Sequence, residues 1–166
     1  MAVHFHKLKV KEVRTETPDC VSIAFVVPKD LQSEFLFEQG QNITIKKEID
    51  GEEIRRSYSI CSAPFENELR VAVKKVDGGK FSGFANSILK AGDELDVLPP
   101  TGKFNTKLII QNAKQYLAFA AGSGITPVMS IIQSILLREP KSTFVLVYGN
   151  KTPEDTIFHK QLHDLQ

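Results

Sequence analysis

Apolar and polar residues alternate with a period of two through the first hundred positions. Val21, Ile23, Phe25 and Val27 alternate with Ser22 and Ala24; Ile43 and Ile45 with Asn42, Thr44 and Lys46; Leu69, Val71 and Val73 with Arg70, Ala72 and Lys74. Successive strand residues point to opposite faces, so each run predicts a strand with one apolar face. Asp50-Gly51 signals a hairpin between the strands around Ile43 and Ile54, and Asp77-Gly78-Gly79 ends the Leu69 strand. One helix is predicted from about Ser82 to Leu89, capped by Ser82 and stopped near Gly92, and Leu95 and Val97 supply a last strand before Pro99-Pro100. Six strands and one helix pack economically as an all-β antiparallel Greek-key barrel, because closure removes exposed sheet edges.

The texture changes after Phe104. A Lys/Asn/Gln-rich stretch, 105–115, reads as a linker between a barrel domain, 1–104, and a second unit, 116–166. Tyr116 to Ala121 and Thr143 to Tyr148 are continuous apolar runs, the pattern of parallel strands buried on both faces. Between them Thr126 is a natural N-cap, Pro127 suits the first helical position, and Val128, Ile131, Ile132 and Ile135 form an apolar stripe ending before Pro140. This is one β-α-β unit of a Rossmann-like fold, and Thr152-Pro153-Glu154-Asp155 is expected to start a further helix. With one complete helix and part of a second to cover strands apolar on both faces, the unit is expected to lean on the barrel, to pair through its open edge as a homodimer, or to lie disordered.

Composition narrows the partners. Lys and Arg number 21 against 20 Asp and Glu, a formal charge of +1, so no global basic field points to nucleic acid or an anionic membrane, and any phosphate site must be local. The opening Met1 to His6 lacks the cationic start and apolar core of a signal peptide, and no apolar run is long enough for a membrane span, which makes a cytoplasmic protein the expectation. Two cysteines, Cys20 and Cys61, in no Cys-x-x-Cys spacing give poor support to a disulfide, a zinc site or an iron–sulfur cluster. His159 and His163 stand four apart, and His4 and His6 two apart, but neither pair has a third ligand in view, so no metal is expected. Lys7, Lys9 and Lys11 form the wet face of a strand or, as the sharper reading, a docking surface for an acidic electron acceptor.

Two local motifs carry chemistry. In Arg55-Arg56-Ser57-Tyr58-Ser59 the period of two puts Arg56 and Tyr58 on one face, where a guanidinium can fork onto a phosphate while a phenol ring covers a planar heterocycle. An edge strand with solvated arginines fits that segment equally well. Gly78-Gly79-Lys80-Phe81-Ser82 opens a helix whose free amides suit a pyrophosphate, and Gly122-Ser123-Gly124-Ile125-Thr126-Pro127 lies between a strand and a helix, the context of a dinucleotide turn. The latter lacks the Gly-Lys-Ser/Thr ending of a nucleoside-triphosphate loop. The next strand ends in Tyr148-Gly149-Asn150-Lys151, where Asn150 and Lys151 are candidates to bind the nucleotide; the cation Lys151 leans toward a ribose phosphate while Glu154 and Asp155 lean the other way, leaving NADH and NADPH both open.

Arg56-Ser57-Tyr58-Ser59 resembles the Arg-x-Tyr-Ser/Thr signature of the ferredoxin–NADP reductase superfamily. Val73 to Ser82, Pro99-Pro100-Thr101-Gly102-Lys103-Phe104, Ala121 to Pro127 and Val147-Tyr148-Gly149-Asn150 follow in that family's order. Phe5-His6-Lys7-Leu8-Lys9-Val10 with Glu16-Thr17-Pro18-Asp19 is similar to the reductase component of phenylacetate-degrading oxygenase systems. The resemblance implies FAD, in preference to FMN, held by Arg56 and by the amides from Gly79 through Lys80 and Phe81 to Ser82, with main-chain contacts from Val73 and Lys74. Tyr58 would stack on the ring and Ser59 would hydrogen-bond near its N5, with Thr126 near the nicotinamide and Gly122 and Gly124 along the pyrophosphate of NAD(P)H. Tyr58, Ser59 and Thr126 are thus the implied catalytic residues. NAD(P)H would reduce the flavin, which would pass electrons to an iron–sulfur domain or an oxygenase component. The family's nucleotide domain continues through several more strands and a Cys-Gly-Pro segment that this sequence lacks, and the two cysteines cannot make a [2Fe-2S] domain. The chain is therefore expected to be part of a longer reductase. A non-catalytic flavin-binding remnant and a barrel that serves only as an interaction module are the competing readings.

Overall fold

Residues 4–166 are described by a computed structural model. Six antiparallel strands come first: β1 (His6–Thr17), β2 (Cys20–Val26), β3 (Asn42–Ile49), β4 (Glu52–Ser59), β5 (Leu69–Lys74) and, after the helix α1 (Lys80–Ser87), β6 (Glu94–Val97). Their order is β4-β3-β6-β1-β2-β5, and a bridge between Ile60 and Val71 joins the two ends, closing the barrel. Asp50 and Gly51 both take positive φ, 53° and 76°, the backbone of the tight turn that connects β3 to β4 in the predicted hairpin. Leu8, Ile23, Ile43, Ile45, Val71, Val73, Leu95 and Val97 fill the interior, with Phe81 of α1 plugging one end.

The second unit contains β7 (Gln115–Ala121), α2 (Ile125–Arg138), β8 (Thr143–Gly149) and α3 (His159–Asp164), with β7 and β8 parallel and in register from Gln115↔Thr143 to Ala121↔Gly149. Helix α2 packs against the outside of the barrel. Cys20, Cys61 and Ala72 meet Ile125, Val128, Met129 and Ile132 in a second apolar cluster, and the Ser130 hydroxyl donates to the Ser62 carbonyl at 2.7 Å. No helix among the described residues is long and apolar enough to cross a membrane.

Four expectations are corrected. β2 and β5 do not have one wet face: Cys20 to Phe25 and Leu69 to Val73 are buried throughout, because Cys20 and Ala72 pack against α2 while the Arg70 guanidinium lies over the same face, donating to the Ser22 hydroxyl at 2.9 Å and pairing with Glu12 and Glu68. Conversely β7 and β8 are not buried on both faces: Leu117, Phe119, Val145 and Val147 are 49–72% exposed on the side away from α2. Helix α2 begins at Ile125, so Thr126 does not cap it, and its hydroxyl donates to the Ser123 carbonyl at 3.0 Å. Pro153–Asp155 forms only a short 3-10 turn; α3 starts at His159.

Candidate functional site

The site forms where the barrel meets the turn after β7. A cavity of about 600 Å³ is lined from the barrel by Arg56, Tyr58, Ser59, Lys74, Gly79 and Ser82, and from the second unit by Ser123, Gly124, Thr126 and Pro127. That volume is within the range of about 300–1,000 Å³ common for small-molecule pockets. A comparable apolar cavity of about 680 Å³ beside Leu136, Phe144 and Leu162 carries no charged lining, and a smaller one at the seam, about 190 Å³, balances Arg14 and Arg70 against Glu66 and Glu68. Only the first combines cations, an aromatic ring and open glycines.

Strand β4 sorts its two arginines. Arg55 is held by Glu53, two residues away on the same face, at 2.7–2.8 Å. Arg56, on the opposite face, donates to the Arg55 carbonyl at 2.7 Å and forms no ion pair among the described residues. The cavity is lined by Arg56, Lys74, Lys75 and Lys80 and by no carboxylate among the described residues. Lys74 pairs with Asp19 at 3.4 Å and Lys80 with Glu52, which leaves Arg56 and Lys75 as the cations free for an anion. A nearly neutral chain thus concentrates positive potential at one place, which suits a phosphate ligand.

Tyr58 leans on Phe81, ring centroids 5.6 Å apart and planes tilted by 34°. Burial pushes its phenol up to about 12 against the opposing pull of Arg56, so the ring is neutral at any ordinary pH. Across the cavity floor α1 begins at Lys80, with Gly79 as its N-cap. The first intrahelical bond runs from the Gly83 N–H to the Gly79 carbonyl at 2.8 Å, so the amides of Lys80, Phe81 and Ser82 have no partner within the helix. Ser82 does not cap the helix: its hydroxyl accepts from the Val76 N–H at 3.1 Å and donates to the Gly79 carbonyl at 3.2 Å, folding the loop onto the helix. A Cβ on Gly79 would lie 2.5 Å from that hydroxyl, so the tight loop demands glycine there.

Opposite, the turn after β7 is fastened by the Tyr148 phenol, which donates to the Gly122 carbonyl at 2.8 Å. A Cβ on Gly124 would meet nothing within 4 Å, so packing does not demand glycine here and the position borders open space. Unpaired cations, orphan amides, an aromatic surface and a glycine-floored opening fit a flavin bearing phosphates on the barrel side and a second nucleotide on the other.

Not every candidate from the sequence reaches the cavity. Arg56, Tyr58, Ser59, Lys74, Gly79, Lys80, Phe81, Ser82, Gly124 and Thr126 line it; Val73, Gly122, Asn150 and Lys151 do not. Val73 faces the barrel core, and its carbonyl accepts from Asn86 Nδ2 at 3.0 Å. Asn150 holds a buried, unpartnered Oδ1 just past β8, and Lys151 is exposed. Ala72, Lys75 and Val76, with Ser57, Ser123 and Pro127, also line the cavity and were missing from the sequence-based set, although Lys75 and Val76 lie within the Val73 to Ser82 stretch; Ala72 is brought there by the pairing of β5 with β2. The exposed lysines of β1 stand in register with acids on β6, Lys7 opposite Asp96 and Lys9 opposite Glu94, while Asp96 pairs with Lys46 at 3.6 Å and Lys11 with Glu68 at 3.3 Å.

A family model described as the oxidoreductase FAD-binding domain matches residues 7–106, and one described as the oxidoreductase NAD-binding domain matches residues 119–166. The chain is 45% identical over 162 residues to a component of the 1,2-phenylacetyl-CoA epoxidase of Escherichia coli (strain K12), covering 98% of this chain and 46% of that relative. Among solved structures, phthalate dioxygenase reductase, a modular structure for electron transfer from pyridine nucleotides to [2Fe-2S], superposes with a TM-score of 0.78 at 30% identity, covering 95% of this chain and 47% of that one. A ferredoxin NADP+ reductase from Neisseria gonorrhoeae with bound FAD and NADP gives 0.76 at 25%, covering 96% and 63%. The chain spans about half the length of the curated relatives it matches.

Proposed function

The chain belongs to the ferredoxin reductase-like oxidoreductases, which join an FAD-binding domain to a NAD-binding domain, and from that premise we propose that it is the flavin-reducing module of an oxygenase electron-transfer system. The observation that carries the reading is the convergence of Arg56, Tyr58 and the free α1 amides with the Ser123–Pro127 turn on one cation-lined cavity. A bound flavin would supply the redox chemistry, accepting hydride from a reduced nicotinamide and releasing electrons singly to an acceptor. The residues of this chain bind and orient. Arg56 and the amides of Lys80 to Ser82 hold phosphate, three amides being room enough for a diphosphate and hence FAD over FMN. Tyr58 would offer an aromatic face to such a ring, and Ser59 a hydroxyl to hydrogen-bond with it. Thr126 and Gly124 set the distance at which a nicotinamide approaches, which is where proximity lowers the barrier.

The acceptor we propose is an iron–sulfur domain or oxygenase component, with phenylacetyl-CoA epoxidation as the system favoured by the 45% identical relative, and the cytoplasm as the compartment. Asn150 and Lys151 are assigned to the adenosine end of NAD(P)H. Heating the purified protein should release FAD, and the loaded chain should reduce an artificial one-electron acceptor with NADH or NADPH. A colourless protein that takes up neither FAD nor FMN would contradict the reading; one that binds FAD but never oxidises either nucleotide would favour a flavin-binding remnant.

A further inference from the structure

The stretch 105–115 has the composition of a linker, yet it is fastened at both ends. On the barrel side Gln39 Nε2 donates to the Thr106 carbonyl and Asn105 Nδ2 to the Glu38 carboxylate. On the other side it meets Glu139, the residue after α2, whose side chain is wholly buried and has no cation beside it among the described residues. Such a carboxylate is tolerable only if its lone pairs are filled. They are. Oε1 accepts from the Ile109 N–H at 2.9 Å and from Asn112 Nδ2 at 2.6 Å, and Oε2 from the Tyr116 phenol at 2.8 Å and the Ser142 hydroxyl at 2.9 Å. Ser142 in turn accepts from the Lys114 N–H at 3.0 Å, and the Lys114 carbonyl accepts from the Thr143 N–H at 2.8 Å. One carboxylate therefore gathers the strap, the start of β7 and the turn into β8.

We propose that residues 105–115 are a rigid strap and not a hinge, and that Glu139 is a positioning residue that locks the strap and so fixes the tilt of α2 against the barrel. The helix is pinned midway by the Ser130 contact to Ser62 and carries Thr126 into the cavity at its other end. Thr126 lies about 6 Å along the axis from Ser130, so a rotation of roughly 10° about that pin moves the turn by about 1 Å. A misplacement of about that size can cost on the order of 100-fold in a transfer reaction. The strap stands on the hydrogen-bond geometry; only its consequence for hydride transfer rests on the proposed flavin chemistry.

The test uses the full chain with spin labels on Lys90→Cys and Lys141→Cys, two exposed positions, the native cysteines being buried. Pulsed distance measurements should give one narrow distribution. Glu139→Ala should broaden it and speed amide exchange across 109–116 by on the order of tenfold or more. Glu139→Gln, which keeps one acceptor oxygen, should fall between. If Glu139→Ala does not fold, Tyr116→Phe and Asn112→Ala, each removing one donor, should broaden the distribution in smaller steps. Narrow distributions and unchanged exchange in every folded variant would overturn the proposal. FAD titration of the same variants should match the parent; if the parent binds no FAD, the functional reading fails while the strap is still judged by the distances.

Discussion

The two sheets of this molecule treat their faces in opposite ways. In the barrel, β2 and β5 carry Cys20, Ser22, Ala24, Arg70 and Ala72 on what alternation marks as the outer face, and that face is buried, Arg70 included. In the second unit, β7 and β8 carry Leu117, Phe119, Val145 and Val147 on an apolar face, and that face is open. Period-two patterning thus determines which residues share a face; what covers the face is determined by the neighbouring element. The small side chains of Cys20 and Ala72 let α2 approach the barrel closely, while α2, Ile157, Phe158 and Leu162 all pack in the cluster on one side of the β7–β8 sheet and leave the other uncovered. The end strands of the barrel, β4 and β5, are drawn together by the Ile60–Val71 bridge, whereas among the described residues β7 and β8 pair only with each other. Flavin retention should accordingly be a property of the barrel, and nucleotide approach a property of the less supported half.

The largest separation is expected from Gly124→Val. The added atoms meet no protein atom near Cβ and intrude on the cavity, so NAD(P)H-dependent reduction of bound flavin should fall by roughly 100-fold, read by anaerobic mixing, while the melting curve is unchanged. Simultaneous loss of flavin and fold would place Gly124 in the packing instead. Tyr58→Ala should weaken FAD binding by about tenfold and restore fluorescence to whatever flavin stays bound, as expected for loss of an aromatic contact.

Acid should distinguish the halves more gently. Burial works to raise the Glu139 carboxyl, but its four donors outweigh burial and hold it down to about 2, against 4.5 when free. The unfolded chain then binds the proton first, so this contribution is complete above about pH 4.5 and is lost as pH falls toward about 2. Exchange of the strap amides should rise over that window in the wild type and lose most of this dependence in Glu139→Gln. The smallest effect on stability belongs to the open sheet face. Phe119→Ser with Val147→Thr should change the unfolding free energy by about 0.5 kcal/mol or less, because neither side chain is buried. The same pair should reduce any concentration-dependent association seen in sedimentation; association that persists would assign it to another surface.

Much of this arrangement was legible in the chain. The barrel strands, the Asp50-Gly51 turn and the pairing of Arg56 with Tyr58 on one face all follow from period two and turn chemistry. The division between Arg55 and Arg56 was also written in the sequence, since Glu53 stands two residues from Arg55 and must share its side. Other parts were not local. The start of α2 is set by the 3-10 turn at Gly122–Gly124 that leads into it, which puts Thr126 inside the helix. Glu139 carries no local signal of its role, because its donors come from Ile109, Asn112, Tyr116 and Ser142, and only the fold brings them together.

The division of labour across the cavity is tested most directly by titrating apoprotein with FAD in parallel for the wild type, Arg56→Ala and Gly124→Val. Arg56 is one of the two cations on the barrel side of the cavity, with Lys75, that form no ion pair among the described residues, and its loss should weaken FAD by about 1.5–3 kcal/mol, or roughly 10–100-fold, the scale of a charge-assisted hydrogen bond. Gly124→Val should bind FAD as the wild type does. Equal weakening in both variants, or wild-type affinity in Arg56→Ala, would contradict the assignment of the flavin to the barrel side.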